Sequence, residues 1–201
     1  MAIPNTTEQT GTPPITIRLL GAFAVQDHAG NDISPKGRKA QAVIAMLCTG
    51  RDGKRTRAWL QAHLWSDRAQ PQAAGSLRSC LHEIRSAFGE AADCITSART
   101  KVEIDLDKVA IDLREMSSTQ WLDAVSAGRE VMEGCDIIDK EFTDWLAEQR
   151  AHWERKAALP LAESLPAEAK SPVSKLKTST GMRPDWDLTL CVLPLENRSG
   201  N

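Results

Sequence analysis

Apolar and polar residues alternate near the start of the chain in the way that predicts a small antiparallel sheet. Apolar residues occupy every second position over 15–19, and Phe23 and Val25 continue the alternation after a glycine. The segment 28–32 is rich in residues that favour turns. We therefore expect two strands and a short third strand at 32–34, joined as an antiparallel meander.

Helical spacing of apolar residues predicts three helices after this sheet. The first follows Pro35 and ends before Gly50. The second begins after Thr56, a residue type that caps helix N-termini, and the third extends from about Pro71 to Gly89. The apolar stripe of the third helix consists of Leu77, Cys80, Leu81, Ile84 and Phe88.

Two β-rich segments follow the third helix. They lie at 94–97 and 101–106 and are separated by only Ala98-Arg-Thr, which indicates a hairpin. The order of strands, three helices and a hairpin is that of a winged helix-turn-helix, in which the helix after the turn enters the DNA major groove. We therefore predict an α+β fold over residues 15–115, a winged helix-turn-helix with an N-terminal antiparallel sheet and a C-terminal β-hairpin wing.

The remainder of the chain divides into three segments of different composition. Residues 116–158 predict a helical extension, with helices at 117–128 and 140–157. Residues 159–184 are rich in Pro, Ala, Ser and Lys and predict a flexible linker. Residues 185–201 contain one strong β run, which we interpret as the first strand of a truncated second domain. Alternatively, this strand packs back on the first domain or pairs with the sheet edge of a neighbour.

Composition excludes several classes of protein. Hydrophobic residues make up 41% of the 201 residues, which is enough to bury a core. No apolar run approaches the ~18–20 residues that a membrane span needs, and the polar lead at 1–14, predicted to be disordered, lacks the apolar segment of a secretory signal. The five cysteines form no C-x-x-C pair, which argues against a zinc ribbon or a disulfide scaffold. We expect a cytoplasmic protein without a cofactor or a bound metal.

The net charge of −2 conceals a strong division along the chain. Residues 15–101 contain 13 Lys and Arg against 7 Asp and Glu, a balance of +6, whereas residues 102–201 contain 12 against 19, a balance of −7. A basic half joined to an acidic half suggests that the basic half meets a polyanion. The alternative is a chance segregation of solvated charges.

The polar side of the third helix has the chemistry that a DNA major groove requires. It contains Gly75, Arg78, Ser79, His82, Arg85 and Ser86. Glu83 is the only acid on this side or beside it. Arg can donate two hydrogen bonds to guanine, Ser and His can bond to base edges, and small residues allow a close approach. The alternative is an ordinary solvated helix face.

Cations elsewhere in the basic half are candidates for phosphate contacts. Arg99 and Lys101 lie at the tip of the predicted wing, and Arg38 and Lys39 open the first helix, where backbone N–H groups also favour an anion. A third cluster precedes the second helix and consists of Lys54, Arg55 and Arg57.

Three motifs of this region resemble the OmpR/PhoB-type winged-helix domain, most closely in its SARP/AfsR-like branch of transcriptional regulators. They are Gly37-Arg-Lys-Ala-Gln-Ala-Val, Leu64-Trp-Ser-Asp and Ser76-Leu-Arg-Ser-Cys-Leu-His-Glu-Ile-Arg-Ser-Ala-Phe-Gly. The resemblance covers about residues 15–115. Residues 128–156 are similar to the start of the bacterial transcriptional activator domain, and 190–201 resemble the first strand of a TolB-like domain.

The resemblance implies a sequence-specific regulator that binds double-stranded DNA through the third helix, often as head-to-tail pairs on direct repeats. It also implies activation of transcription, with RNA polymerase as a partner. Two departures matter: the wing lacks the glycines and the Tyr usual in the family, and no receiver domain is present, so we expect a one-component regulator. The DNA-binding residues that we predict are Arg38, Lys39, Ser76, Arg78, Ser79, His82, Arg85, Ser86, Arg99 and Lys101.

Two other functions compete with this interpretation. The first is a protein-interaction module that uses Trp121, Trp145 and Trp153 of the acidic extension, although core packing of these residues is the favoured interpretation. The second is an enzyme, which we do not favour because no histidine lies in a recognisable nucleophile arrangement and no glycine-rich phosphate loop is present. We therefore predict no catalytic residue.

Overall fold

The computed structural model describes the backbone of residues 15–164 and the side chains of residues 15–156. The lead at 1–14 and the predicted strand in 185–201 lie outside the described residues, as does the predicted linker beyond Ser164. Helix α6 continues to Ser164 and so overlaps the first residues of the linker predicted at 159–184, whose bounds stay a prediction.

Over residues 15–115, strands precede three helices and a hairpin follows them, as expected. The helices are α1 Arg38–Cys48, α2 Arg57–Leu64, α3 Gln70–Phe88, α4 Asp112–Glu115, α5 Ser118–Ser126 and α6 Lys140–Ser164. The strands are β1 Ile15–Arg18, β2 Ala24–Asp27, β3 Lys54–Thr56, β4 Ile95–Ser97, β5 Lys101–Ile104 and β6 Val109–Ile111. A 3-10 helix at Gly89–Cys94 joins α3 to β4. This mixed α+β architecture is consistent with a winged helix.

The N-terminal sheet differs from the predicted meander. Its order is β2-β1-β6, with β2 antiparallel and β6 parallel to β1. The expected third strand at 32–34 makes only an isolated bridge, between Asp32 and Gln26. The physical reason lies in two polar side chains: the Ser34 hydroxyl accepts from the Val25 amide at 2.8 Å, and the Asp32 carboxylate accepts from the Ser34 amide at 2.9 Å. The prediction of a purely antiparallel sheet is therefore wrong.

The second sheet contains the predicted hairpin and one strand that the sequence did not indicate. Its order is β3-β5-β4, and both pairings are antiparallel. Gly53 permits the close approach of β3, because it has φ +71° and an ideal Cβ there would lie 2.4 Å from the Ile104 carbonyl oxygen. The Gly53 carbonyl in turn accepts from the Ile104 amide at 2.9 Å.

The helix-turn-helix is held by a continuous apolar interior. Helix α1 is buried along almost its whole length, and α2 and α3 pack on it through Leu60, Leu64, Leu77 and Leu81. Thr56 caps α2 as predicted, because its side chain accepts from the Trp59 amide at 3.1 Å. The core stripe predicted for α3 is also confirmed, except that Cys80 is only partly buried.

The helical extension packs against the rest of the described chain and shares its hydrophobic cluster. The rings of Trp121 on α5 and Trp153 on α6 stack at 6.0 Å, and Phe142 and Trp145 are buried. The link between α5 and α6 reaches β1, where the Met132 amide donates to the Leu19 carbonyl at 2.7 Å. The division into a domain at 15–115 and an extension at 116–158 stays a prediction. Within the described residues, no helix combines the length and hydropathy needed to cross a membrane.

Candidate nucleic-acid interface

The side of α3 opposite its buried stripe is exposed and polar. We call this surface the outer face of α3 and define it by Gly75, Arg78, Ser79, His82 and Ser86. At 3.6 residues per turn these five positions fall on one side of the helix. Arg78, Ser79, His82 and Ser86 are exposed, whereas Arg85 at the edge of the face is partly buried. The structure therefore brings together the residues that the sequence placed on this face.

Polar groups of the outer face bond within α3 itself. The Arg78 Nε donates to the Ala74 carbonyl at 3.3 Å, and the Ser79 hydroxyl donates to the Gly75 carbonyl at 3.3 Å. A Cβ at Gly75 would meet nothing closer than the Arg78 guanidinium at 4.0 Å. Within the described part of the chain, no other element covers this surface, so it is open to a ligand.

The single acid beside the outer face is turned away from it. The Glu83 carboxylate accepts from the Gly37 amide at 2.6 Å, directly before the first residue of α1. A carboxylate is favourable there because the N-terminus of a helix carries a partial positive charge. An ideal Cβ on Gly37 would lie 2.6 Å from a Glu83 oxygen, so a side chain there would displace the flexible end of Glu83. Glu83 therefore stabilises α1 and adds little negative potential to the outer face.

The turn before α3 contains a cation that the sequence analysis did not single out. Arg68 lies in the turn between α2 and α3 and is exposed, and its guanidinium donates to the Ser76 hydroxyl at 3.0 Å. Ser76 itself is partly buried. The sequence signal that could have indicated this pair is the position of Arg68 just before the predicted third helix.

The wing contains one unpaired and one paired cation. Arg99, in the turn of the β4–β5 hairpin, is exposed and makes no ion pair within the described residues. Lys101 pairs with Glu103 at 3.0 Å, and Lys54 of β3 pairs with the other oxygen of the same carboxylate at 3.0 Å. Hydrogen bonds from Lys101 and Lys54 hold the pKa of Glu103 below its usual range.

Lys54, Arg55 and Arg57, which lie around the start of α2, have three different environments. Lys54 pairs with Glu103, and the Arg55 guanidinium lies 4.7 Å from the centre of the Trp59 ring. Partial burial lowers the pKa of Arg55. Arg57 contacts the wing, with its guanidinium 2.5 Å from the Ser97 hydroxyl. Sequence clustering therefore did not correspond to one common surface.

Arg38 and Lys39 have partners inside the described chain. The Arg38 guanidinium donates to the Gly134 carbonyl at 2.7 Å and pairs with Asp136 at 3.2 Å. The Lys39 ammonium donates to the Leu64 carbonyl at the end of α2 and lies 5.1 Å from the centre of the Trp65 ring. A cation at a helix C-terminus is stabilising. The structure does not place these two residues with the outer face of α3.

The described residues offer little for other chemistry. Burial raises the pKa of the Cys80 thiol to about 11 and that of Cys94 to about 12, so both thiols are protonated and weakly nucleophilic at neutral pH. Within residues 15–156, no group of three or more His, Cys, Asp and Glu side chains is placed to hold a metal ion.

Comparison with solved structures gives a partial structural similarity. The chain is similar to the solved structure of Mycobacterium tuberculosis EmbR in complex with a low affinity phosphopeptide, at 18% sequence identity and a TM-score of 0.47. The alignment covers 76% of this chain and 43% of that chain, so this chain spans less than half the length of that protein. No protein-family model and no curated protein sequence matches the chain.

Proposed function

We propose that this protein is a sequence-specific DNA-binding regulator of transcription that inserts the outer face of α3 into the major groove. One observation carries the proposal. A 19-residue helix is fixed to the core by a buried stripe, and its opposite side presents Arg78, Ser79, His82 and Ser86 with no partner from another described element.

The side chains of this face can read base edges. Arg78 and Arg85 are the candidates for contact with guanine or a nearby phosphate, since a guanidinium can donate two parallel hydrogen bonds. Ser76, Ser79, His82 and Ser86 donate or accept beside them. Gly75 presents no side chain, which lets the helix approach the bases closely.

The wing supplies contacts that position the protein on DNA. Arg99 is exposed and is suited to a phosphate, and Lys101 reaches one if it leaves Glu103. Arg38 contacts a phosphate only after giving up Asp136, and Lys39 contributes positive potential from its place at the end of α2. We expect Arg99 to contribute most among these four cations.

The resemblance to SARP-like regulators supports further parts of the proposal. These are binding of two copies head to tail on direct repeats, contact with RNA polymerase and activation of transcription. Control without phosphorylation is proposed on a different ground, since these 201 residues contain no receiver domain. A module that binds proteins through its tryptophans is not favoured, because Trp121, Trp145 and Trp153 are only 4%, 5% and 6% exposed.

A selection from random duplexes with the intact chain, performed at two salt concentrations, tests the proposal. We expect enrichment of a repeated motif. If about five phosphates are neutralised per protomer, the slope of log K against log salt should be about −4 to −5. Arg51→Ala is a suitable control, because Arg51 is exposed in the turn before β3, away from α3 and the wing hairpin in sequence. Equal binding of selected and scrambled duplexes would contradict sequence-specific recognition.

A further inference from the structure

The wing has little means of holding its own shape. Strands β4 and β5 contain 3 and 4 residues, and the turn Ala98-Arg99-Thr100 contains neither glycine nor proline. The turn is closed by a hydrogen bond from the Ala98 amide to the Lys101 carbonyl at 2.9 Å. Hairpins this short are at best marginally stable alone. Contacts from outside the hairpin must therefore fix the position of Arg99.

Arg57 provides such contacts through both its backbone and its side chain. It is the first residue of α2, and its amide donates to the Thr100 carbonyl at 2.9 Å. Its guanidinium donates to the Ser97 hydroxyl at 2.5 Å and to the Ala98 carbonyl at 3.4 Å. These three bonds reach the residues on both sides of Arg99.

Arg57 belongs to a helix that the hydrophobic core holds in place. Thr56 caps α2, and the buried Leu60 and Leu64 fix that helix in the core. Helix α2 connects to α3 through the short turn that contains Arg68. The contacts of Arg57 thus join the wing turn to the same helix pair that presents the outer face of α3.

We propose that Arg57 is a positioning residue, which holds the wing so that Arg99 meets the DNA backbone while α3 occupies the groove. This inference rests on the proposed function. In this role Arg57 acts on the wing rather than on phosphate, since its Nη1 atom donates to Ser97 and Ala98. Its effect on affinity therefore passes through Arg99.

Amide hydrogen exchange tests the anchoring in the absence of DNA. In Arg57→Met, we expect the Ala98 amide to exchange about fivefold faster or more, whereas the Ile104 amide, bonded to Gly53, keeps its rate. Arg51→Met is the matched control, since it removes an exposed arginine that has no bond to the wing turn among the described residues. An unchanged rate at Ala98 in Arg57→Met would overturn the anchoring.

A double-mutant cycle tests the consequence for DNA affinity on the duplex selected by the wild-type protein. We expect Arg57→Met and Arg99→Ala each to weaken binding about fivefold, and the double variant to weaken it about fivefold as well, because the two changes remove one interaction. Arg51→Met combined with Arg99→Ala should show independent, multiplicative effects. Arg57→Lys should behave like Arg57→Met, because the lysine nitrogen falls one bond short of the Arg57 Nη1 atom that donates to both Ser97 and Ala98.

Two results would overturn the positioning role: multiplicative losses for Arg57→Met and Arg99→Ala, or full affinity in Arg57→Lys. Both would mean that Arg57 acts as a charge on its own. If the wild-type protein binds no duplex, the proposed function is wrong and the role of the wing in affinity is wrong with it. Normal wild-type binding with unchanged exchange at Ala98 overturns only the inference about Arg57.

Discussion

The outer face of α3 and the start of α1 contain similar side chains in opposite situations. On α3, Arg78 is exposed and bonds only to its own helix among the described residues. At the start of α1, Arg38 and Lys39 bond to the extension and to the end of α2. The same cationic chemistry is thus exposed on one helix and bonded to other elements of the fold on the other.

The two groups of cations differ in their contacts with elements that are remote in sequence. Positive charge does not separate Lys39 from Arg78, since both are cations in the basic half of the chain. The separation comes from elements that are remote in sequence, such as the segment around Asp136 that meets Arg38. We therefore expect substitutions of Arg38 and Lys39 to change mainly the stability of the fold. Substitutions on the outer face of α3 should change mainly the affinity for DNA.

The largest effect on stability should come from Asp139, at the junction of the extension and the helix-turn-helix. Its carboxylate is 7% exposed and accepts from the Ser66 amide and hydroxyl, both at 3.0 Å. We expect Asp139→Ala to lower the free energy of unfolding by about 2–3 kcal/mol, because the Ser66 amide and hydroxyl and the Glu141 amide lose a charged acceptor. Chemical denaturation measures the change. Asp136→Ala is the control, since that side chain is 86% exposed, and equal losses in both variants would contradict the assignment.

The next effect concerns DNA rather than stability. Arg78→Ala should weaken binding to the selected duplex by about 1–3 kcal/mol and relax specificity at one base position. Its free energy of unfolding should change by less than about 0.5 kcal/mol, because the side chain supports no other element. Competition binding against single-base variants of the duplex measures both parts. A uniform loss across all variants would assign Arg78 to a phosphate instead.

Lys39 should show the reverse pattern. Lys39→Ala removes the cation that donates to the Leu64 carbonyl at the end of α2, and we expect a loss of about 1 kcal/mol in unfolding free energy. Its effect on DNA affinity should be smaller than that of Arg78→Ala. Lys36→Ala, at an exposed lysine nearby, controls for the loss of charge. A larger effect of Lys39→Ala on DNA binding than on unfolding would place Lys39 in the interface.

The smallest effect should arise from the acid on the wing. Glu103→Gln removes the partner of Lys54 and Lys101, so DNA affinity should rise about two- to threefold and its salt dependence should steepen. Because the pKa of Glu103 is lowered, the carboxylate is ionised at neutral pH and the pairs are lost only as the pH falls through that lowered pKa. Binding titrations at pH 7 and several salt concentrations measure the effect. Glu90→Gln, at an exposed acid outside the wing, should leave affinity unchanged.

Much of the fold could be predicted because its signals are local. The limits of α1, α2 and α3 follow from helical periodicity, from the cap at Thr56 and from the breaks near Gly50 and Gly89. Strands β3 and β6 could not be found in this way. Each has only 3 residues and is defined by partners 45 or more positions away, such as the pairing of Val109 with Ile15.

The candidate site was predictable to the same extent and for the same reason. Exposure of Ser79 and His82 follows from their position opposite the leucines of α3. The roles of Arg57 and Lys39 do not follow, since they depend on the wing turn and on the end of α2. Composition alone treats these cations as equivalent.

The hydrogen bond from the Gly37 amide to Glu83 links the position of a charge on α3 to the size of the residue that precedes α1. Any larger side chain at position 37 has to push aside the far end of Glu83, which is cheap in packing terms because that end is flexible and the Gly37 backbone, with φ −72°, suits any amino acid. The displaced carboxylate would lose its bond to the Gly37 amide, and a turn towards the outer face of α3 would lower the attraction of that face for a polyanion. A methyl group at position 37, which lies outside α3, would thus change the negative charge beside the outer face of α3.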